Sequence, residues 1–199
     1  MGLGYNYTKK TLNDIPVWQR NGGQMSAVQG GFGLDRTGLP DGYVIPAGCP
    51  MIANETTRLA KPLVVGTVVE TAGGSATTYK VNKNSPLAIG QNFAAKPGNK
   101  AYPITAIDKT NADYDVVTVG TTIGAVNAGE LVFASSTTGA SNSSFGGVNS
   151  VNYADKIVRD GESITVVIAN PNNPLYAKRV PYSPELEAAL PRIIYSQSL

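Results

Sequence analysis

The best acidic cluster in this 199-residue sequence is Asp108, Asn111, Asp113 and Asp115, within DKTNADYD. Oxygen ligands at alternate positions of a turn suit Ca²⁺, but an EF-hand loop also needs a glycine at its sixth position and a glutamate at its twelfth, and both are missing. The other reading of the stretch is a hairpin turn in which Asn and Asp cap their own backbone. The sequence has no histidine, which removes the commonest general base, the hydrolase triads and most zinc sites. Cys49 is the single cysteine, flanked by Gly48 and Pro50, so no internal disulfide or CxxC knuckle can form and a small buried hydrophobe is expected. GGFGLDRTG (Gly30–Gly38) lacks the spacing and the strand-to-helix setting of a dinucleotide loop. No catalytic, cofactor-binding or metal residue is assigned, and the expectation is a non-enzymatic protein that docks.

Docking chemistry has better candidates. Residues 1–40 are punctuated by glycines yet carry large apolar groups, more than a flexible linker needs. They are read as an extended arm whose candidate docking residues are Tyr5, Tyr7, Ile15, Val17, Trp18, Arg20 and Phe32. Trp and Arg are enriched at interface hot spots, although a lone tryptophan is as readily a core residue, and both readings of Trp18 stay open. The net charge is +2, from 16 Lys+Arg against 14 Asp+Glu, and the basic residues form only isolated pairs such as Lys9-Lys10 and Lys178-Arg179. Nucleic-acid binding needs a clustered basic face, so no nucleic-acid partner is expected. No apolar run approaches the roughly 20 residues of a membrane span, so no membrane partner is expected either.

These residues must be positioned by strands. Between 41 and 134 short apolar segments alternate with turn residues. KPLVVGTVVE and TTYKVNK flank TAGGSA, where Gly73-Gly74 is expected to supply the positive φ of a hairpin turn. YPITAIDK and DYDVVTVGTTI flank TNA as a second hairpin, and LVFA (131–134) closes the series. A strand–glycine–strand pattern recurs in DGYVIPAGCPM, around Gly90 in PLAIGQNFA and around Gly129 in AVNAGELVFA. It predicts a chain turning tight corners in a small barrel, with Pro46-Ala-Gly48 marking where arm gives way to body. Residues 135–150, SSTTGASNSSFGGVNS, read as a Ser/Gly-rich exposed loop. Residues 151–199 hold three further strands, with NPNNP as a turn, and one helix in SPELEAALPRII. Ser183 would be its N-cap, Pro184 its first residue and Pro191 its stop. They complete the body or form a small second subdomain. The expected class is mostly β: a compact β-barrel or β-tulip-like body, an extended N-terminal arm and one short C-terminal helix.

The segments GTVVETAGGSATTYKVNKN, ITAIDKTNADYDVVTVGTTIGAVNAGE, NYADKIVRDGESITVVIAN and ALPRIIYSQS resemble auxiliary capsid and head-fibre proteins of tailed phages of gut Bacteroidetes, crAss-like phages included. VIPAGCPMIANETTRLAKPL is similar to the opening strands of small β-tulip decoration proteins of phage heads. The resemblance covers most of the chain from about Ile45 onward and carries no catalytic motif. It implies a virion protein on the outer surface of the capsid, assembled in the bacterial host cytoplasm and bound to a lattice of major capsid protein. Its implied partners are that protein, copies of itself (a trimer before a dimer) and a head-fibre protein. A glycan-binding surface module, with 135–150 as a binding loop, is the alternative from another class.

Overall fold

The structure, a computed structural model, describes residues 16–19, 27, 28 and 30–197. Its strands in chain order begin with β1 (Phe32–Leu34), β2 (Val44–Ile45), β3 (Pro50–Asn54), β4 (Leu59–Pro62), β5 (Val65–Thr67) and β6 (Thr78–Asn82). They continue with β7 (Asn92–Ala94), β8 (Ala101–Asp108), β9 (Tyr114–Val119), β10 (Leu131–Ser135), β11 (Ser150–Asn152) and β12 (Lys156–Ile157). The last are β13 (Ser163–Ile164), β14 (Val166–Val167), β15 (Asn170–Tyr176) and β16 (Ile193–Ser196), with the α-helix α1 (Pro184–Ala189) before β16. The chain is mostly β, with a barrel-like body and one short helix.

Two six-stranded sheets build that body. The second in chain order runs β5-β10-β7-β8-β9-β6. Its ends meet: Val68 bridges Val81, and the Val69 N–H donates to the Lys80 carbonyl at 2.9 Å. Alternate residues point inward, as strand geometry requires. Val117 and Val119 of β9, Tyr79 and Val81 of β6, Phe93 and Val132 fill its interior. The Tyr79 hydroxyl ties that core to the loops, donating to the Ala76 or Gly124 carbonyl and accepting from the Ile123 N–H.

The first sheet, β13-β1-β4-β3-β11-β14, closes in another way. β13 and β14 are two halves of one run, Ser163 to Val167, separated only by Thr165. One edge of that run pairs with β1 and, through the bridge Ala27–Val167, with the residues before it; the other pairs with β11. Phe32, Met51, Ala53, Ala60, Ile164 and Val166 face inward. The ribbon of β2 with β12 adds Ile45 and Val158 to the same core. Closure removes the unpaired edges that make open sheets prone to association.

A third core lies between the barrels and under the C-terminal segment. Strands that contribute one residue inward contribute the next outward: Val132 is inside its barrel while Leu131 and Phe133 enter the shared core, and Val166 is inside while Val167 is shared. Continuous apolar runs such as Leu131–Phe133 are what burial on both faces demands. Leu175, Leu186, Leu190 and Tyr195 close this core from outside. Burial pushes the Tyr195 phenol above its ordinary range.

Several expectations change. Residues 41–134 do not form one body, because β3 and β4 join β11 and the 163–167 run, while 64–134 hold the other barrel. Nor is 1–40 an arm throughout, since β1 is a barrel strand. NPNNP is no turn: it lies within β15, which absorbs it through a register shift between Asn170 and Leu175. Gly73 and Gly74 have no positive φ, for the 71–77 connection is drawn aside by the bridge Ala72–Val126 and turns through Ala76 N–H to Gly73 carbonyl. The 135–150 segment is not simply exposed, since Ser143, Phe145 and Val148 are buried. Other expectations match: β8 pairs with β9 across the TNA turn, and the Ser183 hydroxyl accepts the Leu186 N–H at the start of α1.

The three recurring glycines do turn corners, with φ of 77° at Gly48, 90° at Gly90 and 86° at Gly129. Gly48 is the tightest, because a Cβ there would lie 2.4 Å from Cγ1 of Val180. Gly48→Ala is expected to cost about 1–3 kcal/mol, overpacking added to a left-handed backbone. Urea denaturation reads this directly, and an unchanged midpoint would show that Val180 yields freely.

Candidate docking surface and acidic turn

Of the seven candidate docking residues, Tyr5, Tyr7, Ile15 and Arg20 lie outside the described residues. The other three are packed on the chain's own body. Phe32 is 2% exposed inside the first barrel, with the Arg58 guanidinium 4.4 Å over its ring. Trp18 is 8% exposed in the shared core, its indole N–H donating to the Tyr153 carbonyl at 2.8 Å, and half-buried Val17 packs beside it. The tertiary structure therefore uses Trp18 and Phe32 as core residues, and a docking role for them would have to pass through this burial.

Residues 16–19 add a strand to β15. Trp18 bridges Leu175, the Tyr176 N–H donates to the Val17 carbonyl and the Gln19 N–H to the Pro174 carbonyl. The Arg179 side chain donates to the exposed Pro16 carbonyl at 2.7 Å. Arg179 also lines a groove of ≈ 420 Å³ between the C-terminal segment, with Val180 and Tyr182, and the second barrel, with Thr67, Gly129 and Leu131. The large apolar residues most exposed among those described, Leu59, Val69, Ile89, Tyr153 and Ile194, are distributed over both barrels and β16.

The acidic turn resolves toward backbone capping. Asp108 accepts the Thr110 N–H at 2.9 Å, which holds its carboxyl below the usual range, and Asn111 accepts the Asp113 N–H at 2.8 Å. Asp115 points the other way, into the barrel beside Val117, and is 0% exposed. The cation that reaches this place is Lys83, two residues beyond the inward-facing Val81. Its ammonium donates to the carbonyls of Lys109 and Asn111, both at 2.7 Å, and lies 3.0 Å from Oδ1 of Asp115. That approach is off hydrogen-bond geometry, so the carboxylate is held by charge, and Oδ2 meets no protein donor. Of the four candidate ligands, Asp108 and Asn111 thus serve backbone N–H groups, and Asp115 faces the Lys83 ammonium. Among the described residues no group of three His, Cys, Asp or Glu side chains comes together.

The 4-atom reach of a lysine stem is what the sequence reading missed here. Lys83 stands 32 positions before Asp115 in the sequence, and only the β6–β9 pairing, Val81 opposite Asp115, makes them neighbours. Cys49 is buried, and desolvation pushes its thiol up to about 12, so it holds little thiolate at neutral pH.

No helix among the described residues is long and apolar enough to cross a membrane. Comparison with protein-family models, with curated proteins and with solved structures finds no match for this chain.

Proposed function

We propose that the chain is a structural virion protein, an auxiliary capsid or decoration subunit that binds the outside of a phage head lattice and reinforces it. Its partners are the major capsid protein and further copies of itself. The observation that carries this reading is the place of Pro16. It is exposed, its carbonyl accepts from the Arg179 side chain, and it follows a 15-residue segment in the sequence. That segment includes Tyr5, Tyr7 and Ile15, and at ~3.3–3.6 Å per residue its extended reach is roughly 50 Å, enough to touch a neighbouring subunit. Standard specific interfaces bury about 1,200–2,000 Å² in total, an area that an arm plus one barrel face can supply. Two closed barrels joined through a shared core suit the body of such a subunit, because they resist edge-to-edge association at high local density.

The test has two parts. Quantitative mass spectrometry of purified virions from the phage that encodes the chain gives its copies per major capsid protein. A ratio near one, or a simple fraction of it, is the expected result. A few tens of copies would instead place it at the base of a head fibre, and absence from virions would overturn the reading. Deleting residues 1–15 is expected to leave a folded body with an unchanged melting temperature that no longer sediments with capsids. Binding equal to that of the full chain would show that the arm is not the anchor.

A further inference from the structure

Where the two barrels meet, a second cleft of ≈ 180 Å³ opens to solvent, with Thr37, Ile52, Lys61, Gln91, Ser136 and Phe145 among its walls. We propose that this cleft binds one sugar unit bearing a carboxylate, a hexuronate in its simplest form, independently of any docking on a capsid. Lys61 would take the carboxylate, Gln91 and Ser136 the hydroxyls, and Ile52 with Phe145 the apolar face of the ring.

The alternation of β4 sets this up. Ala60 faces the barrel interior, so Lys61 faces outward, opposite Ile52 of β3. Lys61 has no ion pair among the described residues. Asp35 feels its charge, but the Asp35 carboxylate is already committed to the Thr37 N–H at 3.0 Å and the Thr37 hydroxyl at 2.7 Å. Gln91 uses its side-chain oxygen on the Ala88 N–H, which leaves the amide N–H₂ without an acceptor among the described residues. An ammonium, an amide donor and a hydroxyl beside an apolar wall form the kind of mixed lining that orients a small polar ligand.

The remaining wall is preformed. The Ser135 hydroxyl donates to the Thr137 carbonyl and accepts the Ser144 N–H, and the Ser136 N–H donates to the Ser144 carbonyl. Gly146, at φ 72°, packs so closely that a Cβ would lie 3.0 Å from that of Ser136. A wall ordered before binding carries a smaller entropy cost. The volume falls below the roughly 300–1,000 Å³ of drug-sized pockets, which favours a single ring over a longer chain.

Titration of the ¹⁵N-labelled full chain with methyl glucuronide, methyl glucoside and acetate, followed by amide chemical shifts, tests the site. Methyl glucuronide is expected to shift the amides of Lys61, Gln91, Ser136 and Gly146. Methyl glucoside, acetate and glucuronide added to Lys61→Met should each bind roughly tenfold more weakly, the loss of one charge-assisted contact or of the ring's other contacts. Lys61 faces outward, so the spectrum of Lys61→Met away from the cleft should match that of the parent. Three results would overturn the proposal: no shifts with glucuronide at tens of millimolar, shifts confined to other surfaces, or a glucoside or acetate that binds as tightly as the glucuronide.

Discussion

Trp18→Ala is expected to lower the unfolding free energy by about 3–5 kcal/mol, the range for removing a large aromatic from a packed interior. Trp18 is 8% exposed and packs in the core shared by the two barrels and the C-terminal segment. The substitution also strips the Tyr153 carbonyl of its indole donor, which adds to the loss. For a chain of this size each kcal/mol moves the melting temperature by roughly 2–4 °C, so a fall of about 6–20 °C is expected. Phe and Leu at the same position should recover part of it. The measurement also separates the two readings of this residue: an interface anchor would lose partner binding and leave the isolated protein's melting point where it was. A shift under about 2 °C would show that the bridge to Leu175 does not pin residues 16–19 to β15.

The second large effect is at the barrel end. Lys83→Met removes a cation facing a fully buried carboxylate, and breaking a buried pair from one side costs about 3–5 kcal/mol. Lys83 is itself 27% exposed, which puts the expectation toward the lower end of that range. Two carbonyls, those of Lys109 and Asn111, lose their donor at the same time. The sign reverses when both partners go. Lys83→Met with Asp115→Val extends the Val117–Val119 face by one apolar residue and should regain most of the loss, because no charge is left buried. A double-mutant cycle in urea measures this coupling. Additive losses would mean that the ammonium and the carboxylate do not sense each other. Added salt should change little, since a buried pair is weakly screened.

How much of this was legible beforehand differs by residue. The β8–β9 hairpin was, because its innermost partners, Asp108 and Val116, are only eight residues apart and alternation fixes the faces. The Ser183 cap and the Gly48, Gly90 and Gly129 corners were legible for the same reason, each being decided within a few residues. For the candidate sites the record is thinner. Trp18 was open between core and interface, and Phe32 reads as an arm residue until its strand finds a partner at Ile164, 132 positions later. The small polar residues of 135–150 suggest an exposed loop, yet Phe145 and Val148 draw it onto the shared core, and Phe145 with Gly146 lines the cleft between the barrels.

By itself the sequence determined a mostly β chain with short alternating strands, glycine corners and one capped helix, for these follow from local backbone preferences and the period of two. Only the tertiary structure decided that there are two barrels, that 41–62 belong with 149–167, and that Lys83 holds Asp115. Alternation states which face of a strand is buried but never against what. Partners 100 or more residues apart are chosen by the joint burial of three cores, a sum that no single stretch of sequence contains.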